Sequence, residues 1–360
     1  MEKKFFSLYK NEIRIHHSTS IKDEFMKLDP NGLNVTGIVK DIYDDRAAYI
    51  DSNGAIHVKG TKVENEEEPA PPTITDPPAG DADGLLYRFG FLADVHIDGD
   101  GDDESKSASD FKNAIAFLNA EGVAFTSIAG DIGRDGRSSD YKLVKEYFAL
   151  ANHPIYTVKG NHDNYQSSDS STSGYKSATG CEDDFIKTYG NDVFIYVSME
   201  SKDYSVAGLS YEKVDWVKQQ LSTYKGKRIF FIHHMFINDT CGNNGKTYSS
   251  SMNNSSTRVQ NFVAAIKAET KLIHLSGHSH FLFNVTNSYA NNNYYYKSGG
   301  PHYIHAPSNT RPRDASANTV YEKGEGYVVD VYADKVIFRG FDSTTKAYKT
   351  NYVYTVNLAQ

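Results

Sequence analysis

The stretch Leu272-Ile273-His274-Leu275-Ser276-Gly277-His278-Ser279-His280 runs from apolar residues into a glycine and then two histidines two positions apart. Its first five residues have the length and composition of a buried strand. The glycine lets the chain turn tightly as it leaves the pleat. Beyond a strand end, residues i and i+2 can face one cavity, so His278 and His280 read as a pair of imidazoles at a sheet edge. Four segments upstream repeat this arrangement after strand-like runs: Asp94-Val95-His96, Gly130-Asp131, Gly160-Asn161-His162-Asp163 and His233-His234. Five strand ends would thus bring polar side chains to one edge, where open α/β folds place their sites.

Around these segments, strands and helices alternate. Strands are expected at 87–92, 123–129, 154–159, 228–232 and 272–276, and helices at 108–120, 138–151, 211–224 and 257–269, a βαβ signature. Residues 326–331, 335–341 and 352–358 are rich in β-branched and aromatic side chains without intervening helices, so they should add antiparallel strands. The expected fold is α/β, a layered sandwich with two sheets. A composition break lies upstream. Residues 63–84, dominated by Glu, Asp, Pro and Ala, read as an extended acidic linker. They would separate a small β-rich module at 1–62 from a domain at 85–360. The module's hairpin signal is the turn Asp51-Ser52-Asn53-Gly54 between two apolar runs.

The chain has 360 residues, 39% hydrophobic and 23% charged, enough for a large domain plus a smaller one. A formal net charge of -8 and the lack of a Lys/Arg cluster argue against a broad nucleic-acid-binding surface. The start Met1-Glu2-Lys3-Lys4-Phe5-Phe6-Ser7 lacks the long apolar core of a signal peptide. No apolar run approaches the ~18 residues of a membrane helix, so a soluble chain without membrane insertion is expected. Cys181 and Cys241 stand in polar stretches outside any metal-ligand spacing, with two unpaired thiols as the default.

Aspartate oxygens with histidine nitrogens suit Mn, Fe, Zn or Co better than Ca or Mg, and the lack of thiolates disfavours a structural zinc site. A carboxylate can bridge two cations ~3.5–4 Å apart, and such a pair can bind a phosphate and acidify a bridging water. Asp131, the lone central aspartate, is the natural bridge. Glycines before Asp131, Asn161 and His278 would allow the close backbone approach such strand ends need.

The ordered set Asp-x-His, Gly-Asp, Gly-Asn-His-Asp, a strand-end His and Gly-His-x-His resembles the calcineurin-like metallophosphoesterase family over roughly residues 86–341. The resemblance implies a four-layer α/β/β/α sandwich and two divalent first-row transition-metal ions, Mn, Fe or Zn. Asp94, His96, Asp131 and His280 would hold one metal, and Asp131, Asn161, His233 and His278 the other. His233 is chosen over His234 because the family usually takes the first histidine after the strand. His162 would stabilise the transition state or protonate the leaving oxygen, Asp163 would orient its ring, and a metal-bridging hydroxide would attack a phosphate mono- or diester.

Other residues read more plainly. His16 and His17 read as surface histidines, His274 as a hydrogen-bonded core histidine, and His302 and His305 as loop histidines that could line a pocket. Residues 167–177, 238–254 and 287–296 read as long loops around the cleft mouth. Tyr289 and Tyr294-Tyr295-Tyr296 could stack on a ring. No Gly-x-Ser-x-Gly elbow or phosphate-binding NTPase loop is present. The rival reading is a binding module that keeps the metals and has little turnover. Strings such as Asp29-Pro30-Asn31-Gly32 weakly resemble bacteriophage tail and baseplate proteins. That likeness implies virion or surface assembly through residues 1–62 and makes a cell-envelope phosphodiester polymer, such as teichoic acid, a candidate substrate; a cytoplasmic enzyme is the alternative.

Overall fold

A computed structural model of the chain describes residues 3–9, 12–18, 27–28, 35–40, 47–50, 56–59, 84–101, 104–166, 169–203, 206–242, 252, 256–286, 293–321 and 323–358; for 3–59, 104–107 and 169–172 only the backbone is described. The chain divides into two units, Met1–Thr73 and Ile74–Gln360. In the first, β1 (Lys3–Tyr9) pairs antiparallel with β2 (Glu12–Ser18), and β3 (Lys27–Leu28), β4 (Val35–Lys40), β5 (Ala47–Ile50) and β6 (Ile56–Lys59) form a meander. The hairpin signal is met by β5 and β6, with Ile50 opposite Ile56. The side chains of His16 and His17, the turn at 51–54 and nearly all of the acidic linker lie outside the described residues.

The second unit holds two six-stranded mixed sheets. In one, β7 (Leu85–Leu92), β8 (Thr126–Ile128) and β9 (Ile155–Thr157) run parallel, connected through α1 (Glu104–Ala120) and α2 (Ser138–Phe148). The sheet continues antiparallel from β7 through β16 (Glu325–Tyr332), β17 (Lys335–Asp342) and β18 (Ala347–Asn357). In the other, β11 (Asp192–Val197), β12 (Ile229–His233), β13 (Leu272–Ser276) and β15 (His302–His305) are parallel, with antiparallel β10 (Asp184–Tyr189) and β14 (Tyr294–Tyr296) at the edges. Helices α4 (Tyr211–Thr223) and α5 (Thr257–Lys267) join β11 to β12 and β12 to β13. Ser210 and Ser256 cap them by accepting from Lys213 N and Val259 N.

Three apolar clusters make this a four-layer sandwich. Between the sheets lie Phe89, Phe91, Phe125, Phe194, Phe230 and Tyr327. Phe89 stacks on Phe125 at 5.2 Å and meets Phe194 and Phe230 edge-on, geometries that add about 0.5–1.5 kcal/mol per pair beyond burial. Val217, Val259 and Phe262 cover the second sheet with α4 and α5, and Phe111, Leu118 and Tyr141 cover the first with α1 and α2.

Three loop expectations change. Residues 169–179 form a helix, α3 (Asp169–Thr179), rather than a loop. Its composition is that of a turn, but Tyr175 is fully buried against Tyr141 at a ring distance of 6.1 Å, and such packing outweighs weak propensity. Tyr294–Tyr296 is an edge strand with Tyr294 and Tyr296 stacked on His302; Tyr289 and residues 243–251 lie outside the described residues. Both cysteines are free and buried, in different clusters. His274 is buried between Phe231 and Tyr303. Neither of its ring nitrogens has a hydrogen-bond partner among the described residues, so it is a core histidine without the expected bond. His302 and His305 stand on β15, buried, rather than in a loop.

Candidate metal centre

The polar segments converge at the carboxyl ends of the parallel strands. Asp94 N donates to Gly130 O at 3.1 Å, His96 N to Asp131 O at 2.9 Å and Gly277 N to His234 O at 3.0 Å, so neighbouring loops are stitched together at the end of each sheet. Of nine non-glycine residues with positive φ among the described residues, five are Asp94, His96, Asp131, His278 and His280. Each such conformation costs of order 1–3 kcal/mol and persists only where its surroundings over-determine it. Ser308 Oγ donates to Asp94 O at 2.7 Å and Thr310 Oγ1 to Val95 O at 2.8 Å, clamping the first of these turns. The glycines serve close approach. A Cβ on Gly160 would lie 2.1 Å from Asp131 Oδ1, and one on Gly277 would lie 2.4 Å from Asp94 Oδ2.

Each aspartate has one oxygen fixed by backbone and the other turned inward. Asp94 Oδ2 accepts from His278 N at 2.8 Å, and Asp131 Oδ1 from His162 N at 2.9 Å. Asp94 Oδ1 and Asp131 Oδ2 are buried and, among the described residues, have no hydrogen-bond partner. They face imidazole nitrogens: His280 Nε2 is 3.1 Å from Asp94 Oδ1, while His234 Nε2 and His96 Nε2 are 3.3 and 3.7 Å from Asp131 Oδ2. His280 Nδ1 faces Arg311 O at 3.0 Å and His234 Nδ1 faces Ala129 O at 2.7 Å. A carbonyl requires N–H there, which leaves each Nε2 lone pair for the cluster. Two groups result: Asp94, His96, Asp131 and His280, and Asp131, His234 and His278, each with ligand-type atoms within 4.8 Å of one another. Asn161 Oδ1 joins the second, 3.0 Å from His234 Nε2.

The expected second histidine is corrected. His233 ends β12 on its helix side, with Nδ1 facing Val197 O at 2.9 Å and the ring against Phe262. His234, one residue past the strand, takes the place in the cluster. Strand alternation explains this, because Phe230 and Ile232 face the inter-sheet core while Ile229 and Phe231 face the helices.

Asp163 is also placed differently. Its carboxylate accepts from Gly160 N at 2.9 Å, Gly133 N at 3.0 Å, Ile132 N at 3.1 Å and Tyr141 OH at 3.2 Å. It therefore clamps the loops of Asp131 and Asn161, and does not orient the His162 ring. Burial, with the charge of Asp131, pushes its carboxyl up to about 6. His162 donates from Nδ1 to Arg134 O, with Asp135 Oδ1 at 3.9 Å, and its partly exposed ring stands edge-on to His96. No sequence signal marked Arg134, Ser308 or Thr310, because each acts through a backbone carbonyl: Arg134 offers its own to His162, and the two hydroxyls donate to those of Asp94 and Val95.

The electrostatics are those of a site that demands positive charge. Burial opposes ionisation of Asp131, yet His234, His162 and His96 hold its carboxyl well below the usual range. Burial likewise opposes charging of His234, but Asp131 and Asp94 push it up to about 9. Burial and neighbouring imidazoles hold His96 and His278 well below the ordinary value. Buried carboxylate oxygens packed against imidazole nitrogens are a mixed oxygen and nitrogen donor set that fits divalent cations of the first transition row.

A four-layer sandwich with a buried Asp/Asn/His cluster at its strand ends is the architecture of a metallophosphoesterase. The chain belongs to the calcineurin-like phosphoesterase family, whose profile matches residues 87–309. Over 120 residues it is 34% identical to a probable glycerophosphodiester phosphodiesterase GpdQ of Arcobacter nitrofigilis, spanning 31% of this chain and 41% of that relative. Its fold is similar to that of GAP50, described as the anchor in the inner membrane complex of Plasmodium (TM-score 0.52, 16% identity, 76% of this chain and 89% of the other). It is also similar to the purple acid phosphatase PPD1 of yellow lupin, Lupinus luteus (TM-score 0.52, 13% identity, 87% of this chain and 59% of the other). At these identities the likeness is one of fold. The family match starts at residue 87 and does not bear on the tail-protein likeness of the N-terminal strings. Among the described residues no helix is long and apolar enough to cross a membrane.

Proposed function

We propose that this chain hydrolyses a phosphate ester at a two-metal centre. One cation would be held by Asp94, His96, Asp131 and His280, and the other by Asp131, Asn161, His234 and His278. The observation that carries this reading is the pair of buried carboxylate oxygens, Asp94 Oδ1 and Asp131 Oδ2, which face imidazole nitrogens and have no geometrically formed hydrogen bond among the described residues. Bound Mn, Fe or Zn ions would supply Lewis acidity to the phosphoryl oxygens and lower the pKa of water. The chain's own residues do the rest. Asp131 ties the two groups together, and Asp163 fixes the backbone that follows it and that of Gly160 beside it. Because His162 Nδ1 is committed to Arg134 O, Nε2 is the atom that hydrogen-bonds the phosphate or passes a proton to the leaving oxygen.

A diester is the first substrate class to test, supported by the name of the Arcobacter relative. Metal-stripped protein reloaded with Mn²⁺ is assayed on an aryl phosphate diester and the matching monoester. Metal-dependent turnover is expected; two bound ions with no turnover of either ester would favour a binding module instead. In the same assay His162→Ala should keep its metals and lose about 10²-fold or more in turnover, as for a lost acid–base group. Metal loss in that variant would mean that His162 belongs to the ligand set.

A further inference from the structure

We propose that the hydrogen bond between Ser279 and His305 is a positioning device that holds the turn at residues 277–280, and with it the rings of His278 and His280, in ligating geometry. The proposal rests on the metal-centre reading above. His278 and His280 have φ values of 78° and 66°. A turn with two left-handed residues in succession around one serine needs restraint from outside. On the cleft side that restraint is His278 N to Asp94 Oδ2 and His280 Nδ1 to Arg311 O. From behind, fully buried Ser279 meets fully buried His305, with Oγ and Nε2 2.8 Å apart.

His305 is a rigid anchor. It ends β15, its N–H donates to Asn293 O at 2.9 Å, and its carbonyl accepts from Tyr327 OH at 3.1 Å. Its ring packs edge-on to Phe236 and against Gly242, where a Cβ would lie 2.9 Å from His305 Cδ2. Burial pushes the imidazole down to about 4, so it stays neutral and can act as a hydrogen-bond partner at ordinary pH. Ser279 sits between two ligand-type histidines, so its side chain governs the backbone torsions on which both rings depend. Partners that orient ligating histidines typically matter about 10–100-fold in metal affinity.

The test is equilibrium binding of Co²⁺ to metal-stripped full-length chain, read by calorimetry and by the visible absorption of the bound ion, alongside thermal melts of the metal-free proteins. Ser279→Ala and His305→Phe should each weaken Co²⁺ binding about 10–100-fold and alter the absorption band. His305→Gln, whose amide reaches the position of Nε2, should restore most of the affinity. The double variant Ser279→Ala/His305→Phe should bind no more weakly than the worse single one, because both remove the same bond. Unchanged affinity and spectrum in the two single variants, even with lowered melting temperatures, would reduce the pair to packing and overturn the proposal. A Gln variant as weak as Phe would do the same. If His305→Phe fails to fold, Ser279→Ala decides alone. Should the unaltered chain bind Co²⁺ no better than Asp131→Asn, the metal-centre reading itself fails and takes this proposal with it.

Discussion

Asp131→Asn should lose both ions and bring turnover to background while the chain still folds. The amide oxygen can replace Oδ1 as acceptor for His162 N, so the loop keeps its hydrogen bond. The other atom becomes an N–H₂ group where Oδ2 now lies 3.3 Å from His234 Nε2 and 3.7 Å from His96 Nε2. A donor then points to where a cation would sit, and the charge shared by both ligand groups is gone. The loss of metal affinity should exceed the ~10–100-fold typical of residues behind the ligands. Metal analysis of the reloaded protein and Mn²⁺-dependent ester hydrolysis provide the measurement. A variant that retains about two ions per chain, the number a two-metal site requires, would remove Asp131 from the centre.

The adjacent histidines give the second large contrast. His234→Ala should cost one ion and nearly all turnover, since it removes the nitrogen facing Asp131 Oδ2, Asn161 Oδ1 and His278 Nδ1. His233→Phe should keep the metals and most of the activity. That ring lies against Phe262, and its lost hydrogen bond to Val197 O would lower stability by about 0.5–1.5 kcal/mol. Metal content and urea unfolding of both variants distinguish the roles. Normal metal content in His234→Ala with depleted His233→Phe would restore the assignment made from sequence.

Residues 229–232 are apolar at every position because both faces of β12 are buried, one against the other sheet and one against α4 and α5. A strand without alternation carries no phase, so nothing in Ile229-Phe230-Phe231-Ile232-His233-His234 tells which imidazole faces the cleft. The position of Asp163 has a related cause. Adjacency to His162 suggested a partnership, whereas the turn sends the carboxylate inward to four donors from three segments. The polar stretch at 169–179 became a helix because Tyr175 found a buried site against Tyr141, a contact across elements that local composition does not encode.

The sequence by itself determined the alternation of strands and helices, the strand ends that carry polar residues, and the oxygen and nitrogen chemistry of the side chains gathered there. These follow from local periodicity, from glycine punctuation, and from the preference of mixed nitrogen and oxygen donors for first-row cations. Only the tertiary structure decided which of two neighbouring histidines enters the cluster, which carboxylate faces it, and how five non-glycine residues are held at positive φ. The first depends on which face of β12 packs against the other sheet, and the others on hydrogen bonds between segments far apart in the chain, such as Ser308 to Asp94 and Ser279 to His305. Their energies hold otherwise costly backbone conformations in place once the two sheets have packed together.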